Sequence, residues 1–169
     1  MKQPAARFDF SNIMPEILIP KTRVPLWMKA DVVVCGGGVS GIAAALSAAR
    51  HGARVVLLEK MPTVGGMATN GLVNIWHTSD QTRQVIFGLV QEMIERGKGW
   101  VTRYDDFPRR PDSHWFEPEG MRLVFEKALS EAGVKVVCNV MPVESLVEGD
   151  RMNAVLVDTK RGRRAVEGG

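Results

Sequence analysis

The chain has 169 residues, 45% hydrophobic and 24% charged, with 22 Lys plus Arg against 19 Asp plus Glu and only two Cys. That balance excludes a disordered chain, and two cysteines are too few for a disulfide-stapled secreted domain. No apolar run approaches the roughly 18 residues of a membrane span, and the N-terminus lacks the apolar centre of a signal peptide, so a cytoplasmic protein without membrane association is expected.

Residues 1–29 hold Pro4, Pro15, Pro20 and Pro25 and show no helical period. They read as an extended N-terminal arm, with an edge strand at 17–19, preceding a domain over 30–169. Residues 31–35 (Asp-Val-Val-Val-Cys) form a β-branched run ended by three glycines, the pattern of a strand buried on both faces. Residues 39–51 are small and apolar, suited to a helix packed closely on a sheet, and Gly52 stands where such a helix ends. Residues 54–59 give a second buried strand closed by Glu59. The order strand, glycine turn, helix, strand is a βαβ unit.

Residues 60–74 read as a loop, and Val85, Ile86, Leu89, Val90, Met93 and Ile94 predict a helix over 84–95. Residues 97–113 mix charge, Pro and aromatics without period and read as a surface excursion. Pro118 opens a further helix with Met121, Val124, Phe125, Ala128 and Leu129 on one face, ended by Gly133. A core strand over 134–138 and an antiparallel meander over 143–147, 154–158 and 164–166 follow, with turns at Glu148-Gly149-Asp150 and Arg161-Gly162. The expected fold is α/β: a Rossmann-like parallel sheet with flanking helices and a small antiparallel β-meander.

Gly36-Gly37-Gly38-Val39-Ser40-Gly41 is a GxGxxG set between a predicted strand and helix. Gly36 allows the tight turn, Gly38 lets a diphosphate approach the backbone, and Gly41 lets the helix pack on the sheet. The helix start directs unpaired N–H groups at the phosphates. Glu59 lies where an acid can accept from ribose hydroxyls and repel a 2′-phosphate, so a dinucleotide with a free ribose is expected. The fingerprint alone leaves FAD and NAD both open.

Glu59-Lys60-Met-Pro-Thr-Val-Gly65-Gly66-Met67-Ala68-Thr69 resembles the segment after the second strand in FAD-dependent oxidoreductases of the glutathione-reductase-like group. The similarity continues through Asn70-Gly-Leu-Val73, the Phe116-Glu-Pro-Glu119 helix start and Glu131-Ala-Gly-Val134 with its meander. The resemblance implies FAD as cofactor, with Gly65 and Gly66 near the pyrophosphate and ribityl side. It also implies Lys60, Met67 and Thr69 in the site, and Val143, entering the meander, near adenine. Thr63 and Met67 stand where the amine-oxidase pattern has Arg on both sides of the glycine pair, so that clamp is absent. Such proteins continue with another core strand and a substrate domain, which makes this chain an expected N-terminal portion, incomplete at its C-terminus, or a short relative. The reading is the FAD-binding domain of a flavin-dependent oxidoreductase acting on an unspecified small molecule. An NAD-binding protein and a non-catalytic nucleotide-binding or interaction module are the alternatives.

No catalytic side chain is evident. His77 and His114 read as surface histidines and His51 as a favourable charge at a helix C-terminus. Cys35 and Cys138 are expected to be buried apolar thiols, and Met61, Met67, Met93, Met121 and Met141 to serve packing. The scattered His and Cys give no metal site. Five basic and two acidic residues fall in 151–169, so the +3 net charge arises there. Without an aromatic platform that tail does not indicate nucleic-acid binding. A homo-oligomer, or a missing C-terminal half docked on the domain, is the expected association.

Overall fold

The computed structural model describes residues 22–77, 83–104 and 113–169. At its centre is a parallel sheet of β2 (Val32–Cys35), β3 (Val55–Leu58) and β7 (Lys135–Val137), in the order β2-β3-β7. β2 and β3 are in register from Val32 opposite Val55 to Cys35 opposite Leu58. Side chains alternate across a strand, so β3 feeds two cores. Val55 and Leu57 face one core, while Val56 and Leu58 face the other.

The first core is covered by helices. In α1 (Val39–Arg50) the buried residues are Ile42, Ala45 and Leu46, one stripe of a 3.6-residue period. In α3 (Pro118–Glu131) Met121, Val124, Phe125, Ala128 and Leu129 form the corresponding stripe. α3 starts where it does because Pro118 occupies the first turn and the Glu117 side chain accepts from the Gly120 amide at 2.6 Å. α2 (Leu89–Arg96) lies beside both. Arg50 of α1 holds Glu92 through two bonds of 2.7 and 2.8 Å, and Arg96 reaches Glu131 of α3 at 2.6 Å.

The second core is covered by the antiparallel meander β8 (Met141–Glu148), β9 (Arg151–Thr159) and β10 (Gly162–Glu167). Val155, Val157 and Val166 from it join Val56, Leu58 and Val140. At full burial each such side chain contributes about 1.5–3 kcal/mol relative to exposure. β1 (Leu26–Lys29) adds to this sheet in parallel with β10, giving the order β1-β10-β9-β8.

Several expectations are corrected. The segment read as an arm ends in β1, a strand of the folded sheet; residues 17–19 lie outside the described residues. The helix expected from 84 begins at Leu89, because Gly88 takes φ +71°, and Val85 and Ile86 stand exposed ahead of it. Within 97–113, β5 (Val101–Tyr104) precedes residues 105–112, which lie outside the description, and β6 (Ser113–Phe116) begins at the end of the stretch. With β4 (Ile75–His77) they make a third sheet, ordered β4-β6-β5 and antiparallel. Trp76 anchors it, its ring 4.9 Å from Phe116 and 6.1 Å from Phe125. Cys35 is exposed and Cys138 half-buried rather than both being core thiols. Met93 and Met121 are core residues, whereas Met61, Met67 and Met141 are exposed.

Candidate nucleotide-binding site

β2 delivers its chain end into the glycine turn, where the Gly36 amide still donates to Leu58 O at 2.8 Å. Gly41, in the first turn of α1, is where backbone meets backbone: a Cβ there would lie 1.8 Å from Gly36 O. Gly38 is different. It caps α1 with extended backbone (φ −71°, ψ 177°), and a Cβ on it would meet nothing within 4 Å. The space above Gly38 is open, and the helix aims its N-terminus there.

The first intrahelical bond runs from the Ile42 amide to Gly38 O at 2.9 Å, so the amides of Val39, Ser40 and Gly41 lie ahead of the helical ladder. α1 has no side-chain cap and no acid in its first turn. Its positive dipole end is therefore left for an anion. These features fit a diphosphate on observations internal to the chain: an open approach over Gly38 and an uncapped helix start.

Glu59 ends β3 and is 6% exposed. One carboxylate oxygen accepts from the Gly37 amide at 2.5 Å and the other from the Met61 amide at 2.7 Å. The acid expected to reach out to a ribose is thus engaged with the backbone beneath the site. A Cβ on Gly37 would come within 3.1 Å of Glu59 Oε2, Leu57 Cδ2 and Val64 Cγ1. Gly37 is a tightly packed position that motif reading passed over as the free x of GxGxxG, although a third consecutive glycine was its signal.

The Gly65-Gly66 loop meets the glycine turn directly. The Gly65 amide donates to Gly37 O at 2.7 Å, and a Cβ on Gly66 would lie 2.9 Å from Gly38 Cα. Thr69 is buried, its hydroxyl donating to Val64 O at 2.8 Å, so it shapes this loop from within. Met67 next to it is exposed. Thr63 and Asn70 close the loop with a 2.8 Å side-chain bond.

On the other side of the turn lies an open cleft of about 260 Å³ lined by Cys35, Gly36, Leu58, Glu59, Lys60, Met141 and Pro142. The predicted meander residue Val143 is one residue beyond this lining, at a register shift in β8 between Pro142 and Glu144. Met141 and Pro142, at the start of β8, are the meander residues that line the cleft. Burial raises the Cys35 thiol above its ordinary pKa. Burial also raises Cys138, with the charges of Glu59 and Glu126 adding to the effect.

The histidines lie elsewhere. His51 caps α1, its Nδ1 2.7 Å from Ser47 O, and His77 Nδ1 lies 2.9 Å from Ser113 Oγ across the β4–β6 pair. Among the described residues no group of three or more His, Cys, Asp or Glu could hold a metal ion, and no helix is long and apolar enough to cross a membrane.

A glycine turn at an uncapped helix start, between parallel strands and next to a buried acid, defines a dinucleotide-binding α/β protein. The chain matches the FAD dependent oxidoreductase family over residues 31–169 and belongs to it, which supports FAD as its cofactor. It is 40% identical over 82 residues to a urocanate reductase of Eggerthella lenta, covering 47% of this chain and 14% of that protein. It is also 40% identical over 58 residues to a fumarate reductase (cytochrome) of Shewanella frigidimarina, covering 32% of this chain and 10% of that one. The chain thus spans a small part of the length of these relatives. Among solved structures, a geranylgeranyl bacteriochlorophyll reductase-like protein from Thermoplasma acidophilum shares the fold with a TM-score of 0.61 at 16% identity, over 83% of this chain and 38% of that one.

Proposed function

We propose that this chain is the FAD-holding part of a flavin-dependent oxidoreductase, binding the dinucleotide extended across the turn between β2 and α1. The observation that carries the reading is the open space over Gly38 in front of the first turn of α1, which has no side-chain cap. Backbone N–H groups at Val39, Ser40 and Gly41 would hold the diphosphate, with Gly36 and Gly38 giving it room. The cleft with Lys60 would take the adenosine, over the buried charge of Glu59 and near Val143. Gly65, Gly66 and Met67 would border the ribityl side, with Thr69 shaping their loop.

When bound, the flavin supplies the electron-accepting and electron-donating chemistry. This chain's residues bind and orient it: the α1 dipole offsets phosphate charge, and the helix-covered core keeps the turn from shifting. The substrate is a small molecule. The free thiols Cys35 and Cys138 suit a reducing, cytoplasmic setting. Exposed Met141, Leu146, Val147 and Met152 on β8 and β9 favour self-association, which size-exclusion chromatography reads directly. The test of the function is uptake of added FAD, followed by its reduction with a chemical donor while protein-bound. Co-elution of flavin absorbance with the protein is expected, and a flavin-free protein peak would refute the reading.

A further inference from the structure

The Glu59 carboxylate makes two contacts that a ribose-binding role does not require. Its oxygens hold the Gly37 amide at 2.5 Å and the Met61 amide at 2.7 Å. The same short stretch is tied by its backbone to the β7–β8 connection: the Glu59 amide donates to Val137 O at 2.9 Å, Val140 donates to Glu59 O at 3.1 Å, and Asn139 donates to Met61 O at 3.2 Å. Gly37 in turn receives the Gly65 amide on its carbonyl at 2.7 Å. One side chain therefore joins the glycine turn to the start of the 60–74 loop, and through Gly37 to the glycine pair.

We infer that Glu59 is a positioning residue that preforms the site before any nucleotide arrives, holding the glycine turn and the cleft wall in their binding arrangement. Burial makes this geometry costly to lose. A carboxylate that is 6% exposed has little water to replace its two amide partners. Bonds to an ionised carboxylate are stronger than neutral ones, and two loops anchored in advance do not have to be ordered during binding. Glu59→Gln offers one oxygen to one amide and presents an N–H group to the other.

The inference rests on the nucleotide reading of this site, and its test separates the two. Hydrogen exchange is measured on the ligand-free full chain, wild type against Glu59→Gln and Glu59→Ala, and FAD and ADP affinities are measured on the same samples. Preforming predicts exchange faster by roughly 10- to 100-fold in the segments containing Gly37 and Met61, with the β9 and β10 segments unchanged. It also predicts that FAD and ADP affinities fall by a similar factor in folded protein. If Glu59→Ala does not fold, Glu59→Gln alone decides. Unchanged exchange at both segments overturns the inference even where FAD affinity falls, since that result describes a simple ribose contact. A lower melting temperature with unchanged ADP affinity also overturns it, because Glu59 then serves only stability. A wild type that binds neither nucleotide refutes the functional reading instead.

Discussion

The Gly65 amide donates to the Gly37 carbonyl at 2.7 Å, so the two glycine-rich stretches of the chain are one structure rather than two loops that meet around a ligand. The glycines differ in what they do there. Gly38 borders open space, whereas Gly41 has Gly36 O where a methyl group would go. Gly38→Val, at a backbone conformation any residue adopts, is expected to fold with nearly unchanged melting temperature and to lose FAD affinity by at least about tenfold. Gly41→Ala is expected to lose stability by about 1–3 kcal/mol or more through backbone displacement. Paired thermal melts and FAD titrations distinguish the two. Equal effects of both variants on stability would contradict this division.

Asp31 and Arg54 form a pair that ties the start of β2 to the start of β3, with Arg54 Nη2 2.6 Å from Asp31 Oδ1. Hydrogen bonds from the Arg54 side chain and backbone hold the Asp31 carboxyl well below its ordinary value of 3.8, at about 2. A depressed folded-state pKa stabilises above the unfolded value and loses that effect as pH falls through the folded one. Asp31→Asn is therefore expected to lower the melting temperature slightly at pH 7, the pair being exposed at the surface. The difference should shrink between pH 3.8 and about 2, as thermal melts across that range read out.

Cys35 lines the cleft beside Glu59 and Lys60, exposed as a residue but with its thiol desolvated enough to be raised. Alkylation by iodoacetamide at pH 7.5 is expected to run slower than at a free thiol, because less thiolate is present. Saturating FAD should slow it further by covering the cleft. Mass spectrometry of the labelled peptide measures both effects, and absence of FAD protection would remove Cys35 from the adenosine cleft.

Trp100 lies against Gly120, where a methyl group would sit 2.3 Å from the indole ring. Gly120→Ala must displace that ring at the first turn of α3. A loss of about 1–3 kcal/mol is expected from the overpacking. Trp100 fluorescence should shift to the red as the ring leaves its seat, with FAD affinity little changed, since this contact is remote from the glycine turn.

The parts of the fold visible in the sequence are those set by local chemistry. β2, the turn, α1 and β3 follow from Val32–Cys35, three glycines and the small residues of 39–50, and the meander from its two turns at Gly149 and Gly162. What escaped reading depends on distant partners. β1 is a strand because Leu26, Met28 and Lys29 pair with Ala165, Val166 and Glu167, and no local pattern in a proline-rich stretch announces that. β4, β5 and β6 are three or four residues long, and Trp76 selects their arrangement through Phe116 and Phe125. At the site, the motif identified Gly36, Gly38, Gly41 and Glu59 as neighbours. The direction of the Glu59 carboxylate, toward Gly37 and Met61, emerges only when β3 and the turn are assembled.

The central claim, that the turn at Gly38 holds FAD, is tested most directly by mixing the purified chain with excess FAD, removing free ligand by gel filtration and recording the visible spectrum. The account predicts flavin bands co-eluting with wild type at close to one FAD per chain and absent from Gly38→Val. A folded wild type that elutes without flavin, or a Gly38→Val variant that retains as much FAD as wild type, would contradict it.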